Sequence, residues 1–278
     1  MIWILHNLGL YSPLTPAARG IMKRATVIST DRDTAHMSGQ SKSAVILAAG
    51  IGSRLSPITD DVPKCCVRVN EKTMISRITD QLLSCNPAMK IHIIAGHLSD
   101  RVREELAGYP RNLKIIENKE YLTTNNMESC RMGLAEDDLV EGNVLVINGD
   151  CVYSDRIVNL MHEADHSVIG TDSSKYQEEN MKVLIRDGRA VSISKDILES
   201  QGGVTSIDFY NFMNVDIKNL YSIMVGYFQN MDRGKWTEVA INDLLVQPNS
   251  EIRTLDVAGE KWMEIDNHDD LEAARNLW

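Results

Sequence analysis

A chain of 278 residues, 43% of them hydrophobic, is long enough for one substantial core that encloses a cleft. Its formal charge of -10 argues against a general nucleic-acid surface, because proteins that track phosphate backbones concentrate Lys and Arg on one face. Five cysteines without paired metal-ligand spacing argue against a structural zinc site or a disulfide framework and for a reduced, cytoplasmic setting.

Residues 1–42 read as an N-terminal arm or extension, in which Thr15 can open a helix and residues 20–29 can hold a short strand. The apolar run at 1–5 is broken by His6 and Asn7 and lacks a cationic lead, so no signal peptide is expected. No later segment has the unbroken apolar span of a membrane helix, and no membrane insertion is expected. From Ser43 compact apolar runs alternate with amphipathic stretches, which marks residues 43–278 as one catalytic domain. Strands are predicted at 44–48, 90–94, 113–117, 143–147 and 166–170, with helices at 73–83, 98–106, 125–135 and 155–164. The fold class is therefore α/β, a Rossmann-like doubly wound, mostly parallel sheet with helices on both faces. Past residue 175 the pattern turns antiparallel. Strands at 181–185 and 190–194 flank a hairpin turn at 186–189, a small insertion expected to form one wall of an acceptor pocket. Helices at 220–228 and 236–245 and strands at 252–255 and 262–265 follow. Asn267 then caps a last helix whose start carries Asp269 and Asp270 at its positive end.

The sharpest signal is Leu47-Ala-Ala-Gly-Ile-Gly-Ser-Arg54, directly after the first strand and followed by Pro63-Lys64. Gly50 and Gly52 let backbone N–H groups approach a phosphate chain, and Arg54 and Lys64 neutralise its oxygens. Leu47, Ala48, Ala49 and Ser53 complete this loop. It is neither a P-loop nor a dinucleotide fingerprint, since Leu55 stands where the third glycine belongs. Asn148-Gly-Asp150 ends a central strand, at the edge where open α/β sheets hold ligands, and makes Asp150 a candidate ligand for a hard divalent cation. In Glu264-Ile-Asp266-Asn267, Asp266 either completes an oxygen-rich Mg²⁺ site with Asp150 or caps the final helix. Lys182, on the wall strand, either binds the α-phosphate or the acceptor, or faces solvent.

These pieces, with Asn118-Lys-Glu-Tyr121, Asn125-Asn126 and Met181-Lys182, resemble the nucleotidyltransferases that activate sugar 1-phosphates. More closely, they resemble the small cytidylyltransferases acting on phosphocholine and related phosphorylated or phosphonate amines. The resemblance covers residues 42–278 and departs at Cys65, where the family has Ala or Leu, and at residues 1–42, which have no counterpart in the minimal enzyme. It implies a nucleoside triphosphate, CTP by preference, cradled by residues 50–54, with Lys64 reaching the triphosphate. Asp150 and Asp266 would hold Mg²⁺, for which Mn²⁺ could substitute. Asn118 and Asn148 fall to the nucleotide, and Tyr121, Asn125 and Asn126 to the acceptor, although Asn125 equally fits a helix N-cap.

The expected reaction is in-line attack by an acceptor oxygen on the α-phosphorus, with pyrophosphate leaving. Arg54, Lys64 and Lys182 are the catalytic candidates. The expected acceptor is a small phosphorylated or phosphonate amine, partly from the resemblance and partly because Asp208, Tyr210, Trp236 and Glu238 can offer an ammonium aromatic faces and carboxylates, although Tyr210 and Trp236 equally fit the core or its rim. Two alternatives stay open: a sugar-1-phosphate nucleotidyltransferase using CTP, UTP or dTTP, and a non-catalytic nucleotide-binding regulatory protein. A nicotinamide dehydrogenase is disfavoured, because residues 93–96 offer no acidic contact for a ribose. No nucleic-acid partner is expected, and both monomer and homodimer remain open.

Overall fold

The computed structural model of the protein describes residues 43–136 and 142–278. The arm expected at 1–42, with its short helix and strand, lies outside them. Strand β1, Ser43–Ala48, is buried along its whole length because both of its faces are covered. Ala44, Ile46 and Ala48 enter one hydrophobic cluster, and Val45 and Leu47 enter the other, as the two-residue period of a strand requires. The loop after it runs through a 3₁₀ turn at Ser53–Leu55 and a short helix α1 (Ile58–Asp61) to a second 3₁₀ turn, Lys64–Cys66. A ribbon of β2 (Arg68–Val69) and β3 (Lys72–Thr73) leads into α2 (Met74–Cys85), whose N-cap Thr73 accepts from the Ser76 N–H. There follow β4 (Lys90–Ala95), α3 (Ser99–Glu105), β5 (Leu113–Glu117), α4 (Asn126–Leu134) and β6 (Val144–Asn148).

The second half comprises β7 (Cys151–Tyr153), α5 (Asp155–Glu163), β8 (Val168–Asp172), the hairpin of β9 (Lys182–Arg186) and β10 (Arg189–Ser194), and β11 (Val204–Phe212). It closes with α6 (Asn214–Gln229), α7 (Thr237–Leu245), β12 (Arg253–Asp256), β13 (Trp262–Glu264) and α8 (His268–Leu277). The main sheet has nine strands in the order β5-β4-β1-β6-β11-β8-β12-β10-β9. Helices α2, α3 and α5 pack on one face, and α4, α6 and α7 on the other. No helix of the described residues is long and apolar enough to cross a membrane.

The fold is α/β with a mixed sheet, which corrects the expectation of a mostly parallel one. Pairing is parallel from β5 through β6 and between β8 and β12. Strand β11 runs antiparallel to β6, β8 and β9, and β10 runs antiparallel to β9 and β12. Sequence periodicity misses β11 because Thr205, Ser206, Asp208 and Asn211 are all buried and break both an apolar run and a clean alternation. The 186–189 turn does join an antiparallel hairpin, as its sequence predicts.

Register places the site. Leu47 pairs with Ile94 on one side and Asn148 on the other, so β1, β4 and β6 end together and release their loops at one edge. A second ribbon, β7 with β13, pairs Cys151 with Glu264 and is locked by a bond from the Ile265 N–H to the Asp150 carbonyl, 2.9 Å. That ribbon carries residues 264–266 to the end of β6.

Candidate active site

The strand ends open into a cavity of about 320 Å³. Its lining includes Leu47, Ala49, Gly50 and Arg54 from the loop after β1, and Asn118, Tyr121, Asn125 and Asn126 from the segment before and at the start of α4. Asn148 and Asp150 come from the end of β6, Asp208 from β11, Trp236 and Glu238 from the start of α7, and Glu264 and Asp266 from the end of β13. The structure thus gathers most of the candidate residues around one space. Ala48, Gly52, Ser53, Lys64, Lys182 and Tyr210 are not among its lining residues; Lys64 lies behind the wall and reaches the site through the lining carboxylates Asp150 and Asp266.

Gly52 stands in the left-handed region at φ 71°, and a Cβ there would lie 2.8 Å from the Lys64 Cβ. Its hydrogen atom is what lets the Lys64 stem pass beneath the loop. Thr59 donates its hydroxyl to the Gly52 carbonyl at 2.8 Å and holds the turn. Gly50, by contrast, is exposed and faces open space, as a backbone that must approach a ligand should. Nothing in the structure gives the exposed Ser53 side chain a task.

Lys64 is the centre of the site. Its ammonium donates to Asp150 Oδ2 at 2.7 Å and to Asp266 Oδ1 at 2.6 Å, and Arg54 Nη2 donates to the other Asp266 oxygen at 2.7 Å. Burial alone would lower the Lys64 pKa, but the two carboxylates overcome it and raise it above the ordinary lysine value. For Asp266 burial pulls upward, and Lys64 and Arg54 outweigh it and hold the carboxyl below its usual range. Helix capping does not account for Asp266. Asn267 caps α8, and Asp270 closes the capping box by accepting the Asn267 N–H.

Glu264 joins Asp150 and Asp266, the three presenting oxygens within 4.8 Å of one another. Burial and the neighbouring acids Asp208, Asp150 and Asp266 push the Glu264 carboxyl up to about 9, while Asn180 Nδ2 donates to it at 2.9 Å. An all-oxygen donor set of this kind fits Mg²⁺. The sequence assigned only Asp266 from this turn. Alternate residues of an extended segment point the same way, and the two-residue spacing of Glu264 and Asp266 at the end of β13 is the signal from which Glu264 was legible.

The same cavity carries a second acidic group, within electrostatic reach of Glu264 and Asp150. Strand β11 shifts register against β8 between Ser206 and Tyr210, and within that bulge Asp208 adopts φ 56°, a conformation few non-glycine residues take. The bulge turns Asp208 into the cavity instead of the sheet face. The Tyr210 hydroxyl lies 3.2 Å from Asp208 Oδ1 and 3.0 Å from Glu238 Oε1, so its single proton serves two buried acids. Burial, then Glu238 and Asp150, push Asp208 up to about 7, and burial likewise raises Glu238. Tyr210 itself is fully buried and positions these acids without lining the cavity. Trp236 is partly exposed at the mouth, with the Lys195 ammonium 5.1 Å from its ring centroid.

Four candidates have structural partners within the protein. Lys182 is buried and donates its ammonium to the Glu178 carbonyl at 2.7 Å, so it anchors the loop bearing Glu179 and Asn180 and does not line the cavity as a catalytic group. Asn118 reaches the cavity, but its amide donates to Thr124 Oγ1 and Ser129 Oγ and its carbonyl accepts the Glu120 N–H, which makes it a brace for the loop carrying Tyr121. Asn125 is the N-cap of α4 and accepts the Asn126 N–H at 2.8 Å, while Asn126 Oδ1 accepts the Thr237 N–H and ties α4 to α7. Sequence reasoning missed Asn180, Glu179 and Lys195, which lie on loops with no motif of their own.

Among curated proteins, the chain is similar to the bifunctional protein GlmU of Methanococcus maripaludis, 25% identical over 84% of this chain and 53% of that protein. It is also similar to the 2-aminoethylphosphonate cytidylyltransferase of Lancefieldella rimae, 29% identical over 55% of this chain and 60% of that one. It therefore spans little more than half the length of these relatives. Among solved structures it shares the fold of the CTP:phosphocholine cytidylyltransferase of Streptococcus pneumoniae at a TM-score of 0.68 and 19% identity, over 84% of this chain and 98% of that one. Residues 44–204, which run from β1 to the first residue of β11 and so include the Gly-rich loop, Lys64 and Asp150, match the MobA-like NTP transferase domain, and the chain belongs to that family.

Proposed function

We propose that the protein transfers a nucleotidyl group from a nucleoside triphosphate, CTP by preference, to a small phosphorylated or phosphonate amine and releases pyrophosphate. The observation that carries this reading is the Lys64 ammonium held between Asp150 and Asp266 beneath the Gly50–Arg54 loop. A nucleotidyl transfer needs cations beside the triphosphate and oxygen ligands opposite it, and little else. The family match and the cytidylyltransferase named among the relatives support the reaction class and the choice of CTP.

The backbone around Gly50, with Arg54, holds the triphosphate. Asp150, Asp266 and Glu264 are the residues that would hold Mg²⁺, which when bound offsets charge on the α-phosphate and the acceptor oxygen. Lys64, freed from those carboxylates, turns its charge toward the phosphates. An acceptor phosphate or phosphonate oxygen forms the new bond to the α-phosphorus while the bond to the β-phosphate oxygen breaks. That acceptor is already an anion at neutral pH, so no protein base is required. The buried pair Asp208 and Glu238 favours an ammonium-bearing acceptor over a sugar 1-phosphate, whose hydroxyls need several convergent neutral donors and acceptors.

The test is pyrophosphate release, with mass detection of the product, across four nucleoside triphosphates and a panel holding phosphoethanolamine, phosphocholine, 2-aminoethylphosphonate and glucose 1-phosphate. CTP with an amine acceptor is the expected best pair. Dominant formation of a nucleoside diphosphate sugar would overturn the acceptor class, and triphosphate binding without pyrophosphate would favour a regulatory protein.

A further inference from the structure

The acceptor end of the cavity holds more charge than a simple amine requires. Asp208 and Glu238 are 7% and 3% exposed and share the Tyr210 proton, which makes them a seat for one positive group. Lys195, the residue after β10, lines the same cavity and rests its ammonium against the Trp236 ring. Among the described residues no hydrogen bond or ion pair reaches that ammonium. Two consequences follow from elementary electrostatics. A trimethylammonium brought to Trp236 meets a ring that already carries a cation, so the aromatic contact that would favour a quaternary amine is offset by like-charge repulsion. That ammonium is exposed at the cavity wall, with the Trp236 ring against it and Glu238 within electrostatic reach, and since no acceptor among the described residues takes up its N–H donors it can also seat an anion.

Resting on the proposed function, we infer that the acceptor is a phosphorylated or phosphonate amino acid, its primary ammonium seated on the Asp208–Glu238 pair and its carboxylate on Lys195. Lys195 is then the residue that selects carboxylate-bearing acceptors over plain amines. The chemistry of transfer is unchanged: the acceptor's phosphorus-bound oxygen takes the cytidylyl group and pyrophosphate leaves. A buried acidic pair, which an incoming ammonium would hold in its charged form, and one lysine meet the distal end of a zwitterion, while the reacting phosphate points toward Lys64 and Arg54.

Matched acceptors that differ by the carboxylate alone test this. O-phosphoserine is compared with phosphoethanolamine, and 2-amino-4-phosphonobutanoate with 3-aminopropylphosphonate, so that two chain lengths are covered. Phosphocholine is the quaternary control. Pyrophosphate release with CTP and calorimetric binding of each acceptor are read side by side in the unsubstituted protein and in Lys195→Met, which keeps the apolar stem. At one or both chain lengths the carboxylate-bearing member is expected to have at least tenfold higher kcat/KM, and Lys195→Met is expected to bring the ratio close to one. Phosphocholine is expected to be the poorest amine for the unsubstituted protein and to gain on phosphoethanolamine in the variant. Transfer in which carboxylate gives no advantage at either length, or in which Lys195→Met leaves the ratio unaltered, overturns the inference and leaves the transfer reaction standing. Lys195-dependent binding without pyrophosphate release from any acceptor overturns the transfer reaction and leaves the carboxylate seat standing. Absence of both overturns both.

Discussion

Lys64→Met separates the two tasks assigned to this side chain, because they change in opposite directions. The ammonium contacts Asp150 and Asp266 at 2.7 and 2.6 Å, with the lysine side chain 11% exposed and the carboxylates 27% and 22%. At an effective dielectric of about 20 each such contact carries about 6 kcal/mol of attraction before desolvation is counted. Removing one partner of a mostly buried pair costs about 3 kcal/mol or more, since the remaining charges are left facing one another. Without divalent cation the variant should therefore melt well below the unsubstituted protein. The same carboxylates should take a divalent ion more tightly once the competing ammonium is gone. A single charge about 4 Å from a dication costs about 2 kcal/mol even in water, so Mn²⁺ affinity in the absence of nucleotide should rise about 30-fold. Turnover should fall by about 10²–10³, the usual effect of deleting one charge-stabilising donor. Steady-state kinetics, Mn²⁺ titration followed by electron paramagnetic resonance, and melting with and without Mg²⁺ measure the three quantities. Turnover within tenfold of the unsubstituted protein would remove Lys64 from the catalytic set, and unaltered Mn²⁺ affinity would refute the shared use of the carboxylates.

Gly52→Ala should lower turnover more than tenfold and cost about 1–2 kcal/mol of stability, because it combines a left-handed φ of 71° with a methyl group 2.8 Å from the Lys64 stem. Gly50→Ala, which meets open space, should leave the melting temperature in place and raise only the nucleotide KM; equal effects of the two would contradict these distinct roles. Asp208→Asn should raise the acceptor KM at least tenfold with little change for CTP, and should not lower the melting temperature, since Asn tolerates the left-handed backbone and removes a buried charge. A less stable protein with an unaltered acceptor KM would count against that assignment. His162 is buried, neither ring nitrogen meets a partner among the described residues, and burial lowers its pKa below the ordinary 6.5. The unfolded chain therefore binds a proton that the folded imidazole resists, and stability falls as pH drops below about 6.5, by at most about 1.4 kcal/mol per pH unit. His162→Leu should flatten that part of the stability curve between pH 6.5 and 5, and chemical denaturation at half-unit steps would expose a failure.

Much of this protein is legible without coordinates because its signals are local. The apolar run at 44–48 followed by Gly50 and Gly52 specifies a buried strand feeding a Gly-rich loop, and β1 is buried from end to end. Residues 143–148 followed by Gly149-Asp150 specify the second strand end, and helices such as α2 and α5 follow from their apolar faces and their Thr73 and Ser154 caps. Sequence alone also narrows Asp266 to two roles, metal ligand or cap.

What decides between those roles is long-range pairing. The β7–β13 ribbon sets Glu264 opposite Cys151 and delivers Asp266 to Lys64, and no local pattern encodes which distant strand will pair with which. Strand β11 escapes detection for a related reason. Its polar residues are buried, and the hydrogen bonds of Tyr210 to Glu238 and of Asn211 to the Met161 and Ala164 carbonyls stabilise them only once those partners arrive. Lys182 shows the converse: a lysine on a wall strand looks catalytic in sequence, yet the nearby Glu178 carbonyl takes its ammonium. Residue type and spacing thus determined the groups available to this chain, the Gly-rich loop and the acids. Tertiary structure decided which of those groups share one cavity, because burial and partnership are properties of chain segments brought together from far apart.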